Sequence, residues 1–281
     1  MDDKRGPITL ALSCERYYLA GFPLLVAIEL HNVTANLFES FEPFGSFNGQ
    51  GPVEFVLRGN GHEWTWPEKA PRMDGEPSGV DFPPGQVWLA LQDLSELHPD
   101  LPPGHYTLSA SVLFGGGVHP SATASFEIRA PSEKDRAAVA RLRAGLERKP
   151  FSWRTFVRDN WSTPDVSGLS SGAHAHLAYY LYLHRVTYGP LTVAALDAEE
   201  PRKFGHGVLE GEAALARLEI LRAAKKPEAD GVEKAVLERW PGLAWRVQEI
   251  GQGQGLLTGL RTAWGVERED VPSDRPRPYQ R

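Results

Sequence analysis

The sequence predicts an all-β sandwich over residues 7–130, then an all-α domain over residues 132–268 and a disordered polar tail, 269–281. Three observations carry this. Before Pro131, apolar residues alternate along short runs, the period of a strand with one buried face. Clusters of Gly, Pro and Asn-Gly separate those runs. From Ser132 onward the spacing is helical, with capping residues at segment starts and Gly or Pro at their ends.

The strands follow in order. Ile8–Leu12 is the first run, and Phe22, Leu24, Val26, Ile28 and Leu30 then alternate up to His31. Val53–Leu57, Val87–Leu91, Tyr106–Phe114 and Ala122–Ile128 read the same way. Gly21, Asn48-Gly49, Asn60-Gly61, Pro83-Pro84-Gly85, Pro102-Pro103-Gly104 and Gly115-Gly116-Gly117 supply the turns. Six or seven strands in about 120 residues, with no helical period among them, make an immunoglobulin-like sandwich. Tyr106 follows Gly104 at the entry to a late strand, the position of a tyrosine corner, in which the hydroxyl ties a loop to the strand. An inward-facing aromatic is the plainer alternative.

Gly59–Pro67, "GNGHEWTWP", raises the question of function. Asn60-Gly61 suits the positive φ angles of a tight hairpin, so its flanks are strand ends. Trp64 and Trp66 then share one face, with Glu63 and Thr65 on the other. Two readings stand. The rings are core, each burying roughly 200 Å² at about 25 cal/mol per Å², or they are an exposed recognition strip. The same choice, core patch or adhesive surface, applies to Phe38, Phe41, Phe44 and Phe47, where Pro43 and Gly45 oppose a helix. His119 lies in the Gly115–Pro120 loop, and loops at the ends of a sandwich commonly bind. Trp64, Trp66, Phe44, Phe47 and His119 are therefore the candidate binding residues.

The second half begins with "SEKDRAAVARLRAGLERK". Ser132 is the N-cap, acidic residues fill the first turn and basic residues the last, and Val139, Leu142 and Leu146 form the stripe. Ser170–Tyr188 is the most apolar helix, closed by Gly189-Pro190 and greasy on several faces, as in a helix surrounded by others. Residues 207–226 and 230–250 add two or three helices, with Pro241 opening a new segment after Trp240. Leu256–Trp264 is a short apolar run.

Candidate chemistry is sparse. Gly168-Leu169-Ser170-Ser171-Gly172 matches the turn that exposes a nucleophilic serine in hydrolases, with His206 as its base. A helix follows it, but no strand precedes it, and a serine N-cap explains the same residues. His174 and His176, with His184 nearby, are a metal pair only in a strand. In a helix two residues rotate by about 200°, which parts the imidazoles. Gly251–Gly255 lacks the preceding strand and the Lys-Ser/Thr of a phosphate loop. Cys14 is the only cysteine, so no intramolecular disulfide forms, and it reads as a core thiol. No catalytic residue, metal or cofactor is expected.

A net charge of −6 over 281 residues opposes nucleic-acid binding, which needs a basic face. No run reaches the roughly 18 apolar residues that cross a bilayer. "MDDKRGPITL" has no apolar signal region, so cytoplasm is the default compartment, although an exported chain trimmed of its leader would read the same. The sequons at Asn32 and Asn160 matter only for a chain secreted by a eukaryote.

Within residues 31–114, Asn32-Val33-Thr34 follows a strand and Gly49-Gln50 precedes an alternating one. The Asn60-Gly61 hairpin leads to Trp64-Thr65-Trp66, then come Pro84-Gly85 and finally Pro102-Pro103-Gly104-His105-Tyr106. This series resembles the bacterial intracellular proteinase inhibitor family. The resemblance implies an immunoglobulin-like fold and, more distantly, inhibition of proteinases. The segment from Asn36 to Gly51, with its four phenylalanines, departs from it, and residues 132–281 resemble no family. The expected function is non-catalytic interaction with another protein. The alternatives are a proteinase inhibitor, or a serine hydrolase at Ser170.

Overall fold

The alternating runs form strands that pair into two facing sheets. The computed structural model describes residues 8–41, 53–66, 80–96, 98, 101–112, 121–144, 153, 164–188 and 207–253. The chain divides into two compact units, Met1–Pro131 with Leu237–Trp245, and Ser132–Val236 with Arg246–Arg281. The expected helical domain, residues 132–268, thus contributes Leu237–Trp245 to the unit built on the strands.

The first unit has ten described strands: β1 (Ile8–Cys14), β2 (Tyr17–Leu19), β3 (Leu25–Asn32), β4 (Phe38–Phe41), β5 (Val53–Gly59), β6 (His62–Trp66), β7 (Val80–Phe82), β8 (Val87–Asp93), β9 (Gly104–Val112) and β10 (Ser121–Arg129). They form a three-stranded sheet β1-β3-β8, a five-stranded sheet β2-β10-β9-β5-β6 and the pair β4-β7. The larger two make a β-sandwich. Pairing is antiparallel except between β2 and β10, which run parallel with Tyr18 opposite Ile128. The start of the chain therefore passes from one sheet to the other between Cys14 and Tyr17. Tyr18 holds this step: its hydroxyl donates to the Leu25 carbonyl (2.6 Å) and accepts from the Glu15 N–H (3.0 Å). Burial pushes that phenol far above its ordinary pKa.

Alternation decides the core. Val26, Ile28 and Leu30 of β3, Trp88 and Ala90 of β8, Val53, Phe55 and Leu57 of β5, Tyr106 and Leu108 of β9, and Phe126 and Ile128 of β10 are buried together. Each such large side chain contributes about 1.5–3 kcal/mol through lost contact with water. Cys14 packs against this cluster but stays only half-buried. The outer face of the larger sheet is polar, with Thr107 beside Ser125 (3.5 Å) and Ser109 beside Thr123 (3.3 Å). That is the division expected of an antiparallel sheet wetted on one side.

Three polar residues secure the ends. Tyr106 Oη donates to the Pro102 carbonyl (2.7 Å) and accepts from Asn60 Nδ2 (2.9 Å), so the tyrosine corner is present. Asp93, buried at the end of β8, accepts from the Leu24 N–H and from both the N–H and hydroxyl of Ser95. Asn32 is fully buried. Its amide donates to the carbonyls of Asn36 (2.8 Å) and Phe82 (2.9 Å), and its oxygen accepts from the Thr34 N–H and hydroxyl.

The described α-helices are α1 (Glu133–Ala144), α2 (Ser171–Tyr188), α3 (Gly207–Ala223), α4 (Glu228–Arg239) and α5 (Ala244–Gly251), the last preceded by a 3-10 turn at Pro241–Leu243. Leu177, Tyr179, Tyr180, Tyr182 and Leu183 of α2 are all buried, as the apolar reading of that helix requires. Tyr182 donates to the Ala213 carbonyl of α3 (2.7 Å), and Arg222 of α3 pairs with Glu233 of α4. Gly251 ends α5, and Gly253 takes a positive φ of 76°, so this glycine run is a helix stop in its described part. Leu146, Leu256–Trp264 and the expected disordered tail lie outside the described residues. No helix among those described is long and apolar enough to cross a membrane.

Candidate functional site: an aromatic edge strand

Asn60 and Gly61 take φ angles of 51° and 76°, closing a two-residue turn between β5 and β6. Such a turn closes on a hydrogen-bonded pair, here Gly59 and His62, and the pattern then alternates. Glu63 and Thr65 consequently turn their backbone N–H and C=O away from β5. Among the described strands β6 has a neighbour on that one side only.

Trp64 and Trp66 stand opposite Leu57 and Phe55, on the face of β6 that continues the core. Both are only partly buried, whereas Trp88 and Trp245 of the same unit are 0% and 7% exposed. Each ring packs in part against the core and is in part exposed. His98 lies between them, edge-on to Trp64 (5.1 Å, 63°) and Trp66 (5.3 Å, 74°). Ring contacts run inward from there, Trp64 to Tyr106 (6.2 Å), Tyr106 to Phe126 (5.9 Å) and Phe126 to Tyr18 (5.2 Å). His62 adds a tilted contact to Trp64 (5.6 Å) at the turn end. On the opposite face, exposed Arg58 and Glu63 form an ion pair (2.5 Å) of little energetic weight.

His98 escaped the sequence reading because its placement depends on a local turn. Asp93 caps a 3-10 turn, Leu94–Glu96, through Ser95, and the His98 N–H extends it by bonding the Leu94 carbonyl (3.0 Å). The signal available was Asp93-Leu94-Ser95, an Asp followed two residues on by a serine, which favours such a turn. Of the other candidate binding residues, Phe44, Phe47 and His119 lie outside the described residues. Phe38 and Phe41 fall in β4, which pairs with β7.

Ser170 occupies the N-cap of α2. Its hydroxyl accepts from the Ala173 N–H (3.3 Å) and donates to Asp135 (3.0 Å), while its own N–H donates to the other oxygen of Asp135 (2.6 Å). Asp135 also accepts from the hydroxyl of Ser132 (2.6 Å), the N-cap of α1. One buried carboxylate thus serves the starts of two helices 35 residues apart in the chain. The Ser132 hydrogen bond, followed by those from Ser170, holds its carboxyl below the usual range. Below the unfolded value near 3.9, the folded carboxylate resists protonation. Its stabilisation is therefore complete above that pH and is lost as pH falls through the lower folded value. Asp135→Asn should cost about 1–3 kcal/mol near pH 7, and the gap to the parent should narrow as pH falls below the unfolded value of about 3.9, as urea unfolding at stepped pH would record.

His174 is exposed and His176 partly buried, and burial lowers the His176 pKa. No group of three or more His, Cys, Asp or Glu suited to a metal occurs among the described residues.

No family model matches the chain, and no curated protein matches it. Among solved structures, the CARDB domain of a Pyrococcus furiosus protein aligns at 11% identity and TM-score 0.26, over 43% of this chain and 94% of that one. The native conformation of E. coli alpha-2-macroglobulin aligns at 11% identity and TM-score 0.25, over 92% of this chain and 22% of that one. A Salmonella alpha-2-macroglobulin mutant aligns at 10% identity and TM-score 0.25, over 95% and 23%. Overlaps this loose carry no argument, and the proteinase inhibitor family suggested by residues 31–114 does not appear among these three. The β-sandwich rests on its own strand order.

Proposed function

We propose that the first unit, an immunoglobulin-like sandwich, is a non-catalytic protein-binding module that receives an extended segment of its partner along β6. The immunoglobulin-like reading is supported by the early chain dividing between the two sheets and by the tyrosine corner at Tyr106. One observation carries the binding reading: Trp64 and Trp66 stand partly exposed on the strand that forms an edge among the described strands, while the other tryptophans of that unit's core are buried. An added strand would gain main-chain hydrogen bonds from Glu63 and Thr65, and its apolar side chains would meet the tryptophan face. Tryptophan is enriched at the energetic centres of interfaces. The engagement of Ser170 in capping and with Asp135 supports the absence of a hydrolytic role.

Thr65→Pro tests this, because it removes an outward N–H while leaving the β5–β6 bonds in place. Short linear peptides selected by display on the parent chain should bind the Thr65→Pro chain at least roughly tenfold more weakly, a difference of about 1.4 kcal/mol. A selection that yields no binders, or binders indifferent to both Thr65→Pro and W64A/W66A, would sink the proposal. Inhibition of serine or metalloproteinases that is lost in the same variants would narrow the partner to a proteinase.

A further inference from the structure

A second sheet edge, that of β8, is covered by the chain itself. The Asn32 N–H bonds the Gln86 carbonyl (3.0 Å) and the Leu94 N–H bonds the Leu24 carbonyl (2.9 Å), so residues 86 and 94 lie in hydrogen-bonded pairs with β3 and its lead-in. With the alternation of an antiparallel ladder, Val87, Leu89, Leu91 and Asp93 turn their backbone groups to the open side. Trp245 Nε1 donates to the Leu89 carbonyl there (3.0 Å), across 156 residues of sequence. Gly242 presses on the same residue: a Cβ at that position would fall 2.9 Å from Leu89 Cβ and 3.3 Å from its nitrogen. The Trp245 ring stacks on buried Trp88 (5.6 Å, 29°) and is itself part of the sandwich core. Trp240-Pro241-Gly242-Leu243-Ala244-Trp245 therefore wraps the edge of β8, touching an outward residue with Gly242 and an inward one with Trp245.

What it covers is hazardous. Gln86–Gln92, "QVWLALQ", holds seven residues with no charge, proline or glycine, the composition that pairs readily with a copy of itself. An open edge of that kind is a template for strand addition. We infer that Trp240–Trp245 is a built-in cap, and that its release turns β8 into a surface for pairing with β8 of a second copy of this chain. The cap is a separate feature from the β6 edge, and its test does not depend on that reading.

In the full chain, Trp245→Ala should speed hydrogen exchange at the amides of Val87, Leu89 and Leu91 by roughly tenfold or more. It should also give an apparent mass, by light scattering after size exclusion, that rises above the parent's with concentration. Adding Leu91→Lys, a charge on the uncovered edge, should return the mass to the parent value. If Trp245→Ala does not fold, Trp245→Phe keeps the ring on Trp88 and deletes only the donor, and the same two changes should appear at smaller amplitude. Parent-like exchange and mass in a folded Trp245 variant would overturn the inference, as would association that Leu91→Lys leaves unchanged.

Discussion

Asn32→Ala should lower the unfolding free energy by about 3–5 kcal/mol, a large fraction of the 5–15 kcal/mol typical of a domain. Asn32 is fully buried, and both ends of its amide are in use, two bonds donated and two accepted. Truncation leaves the carbonyls of Asn36 and Phe82 without those donors and opens a polar cavity where Asn32, Thr34, Asn36 and Phe82 meet. Asn32→Asp should be at least as damaging, because it points an acceptor at two carbonyls. Asn36 joins the same network through its backbone alone, so Asn36→Ala should stay within about 0.5 kcal/mol. Urea unfolding of the three variants checks the ordering, and an Asn32→Ala loss below about 1 kcal/mol would mean that water replaces the amide at little cost.

The second large effect is expected at Gly59. The ring of Tyr106 lies across it from the neighbouring strand: an added Cβ would fall 2.4 Å from Cδ1 and 2.6 Å from Cε1 of that ring, and 2.8 Å from the His105 carbonyl. The ring cannot swing aside freely, because its hydroxyl is fixed to Pro102 and Asn60. Gly59→Ala should cost about 2–4 kcal/mol by overpacking, against the usual preference of strands for residues other than glycine. In a Tyr106→Ala background the same substitution should cost markedly less, since the ring atoms it strikes are gone and only the His105 carbonyl contact remains, giving a non-additive cycle. Thermal melts of the four chains suffice. A Gly59→Ala chain as stable as its parent would show that β5 can shift at no cost.

Legibility from the sequence followed the range of the causes. Strands β1, β3, β5, β8, β9 and β10 could be read because alternation is local and repeated several times in each. The Asn60-Gly61 turn and the Ser132 and Ser170 caps could be read because two or three residues specify them. Strands β2, β4 and β7 are three or four residues long, too short for a period, and are made by pairing with partners far along the chain. The tryptophan pair was legible as a face but not as half-covered, because its burial depends on His98, more than thirty residues further along the chain. The contribution of Trp240–Trp245 to the sandwich left no local trace. Pro241 announced a new segment, and nothing near it named β8 as the destination.

That late contribution has a kinetic side. A ribosome adding about 5–20 residues per second needs on the order of ten seconds to proceed from the last strand to Trp245. Throughout that interval the nascent sandwich has all ten described strands but not the segment that shields β8. Neighbouring chains on one messenger would then be at their stickiest just before Trp245 is added, and slower translation of residues 132–245 would lengthen the exposure.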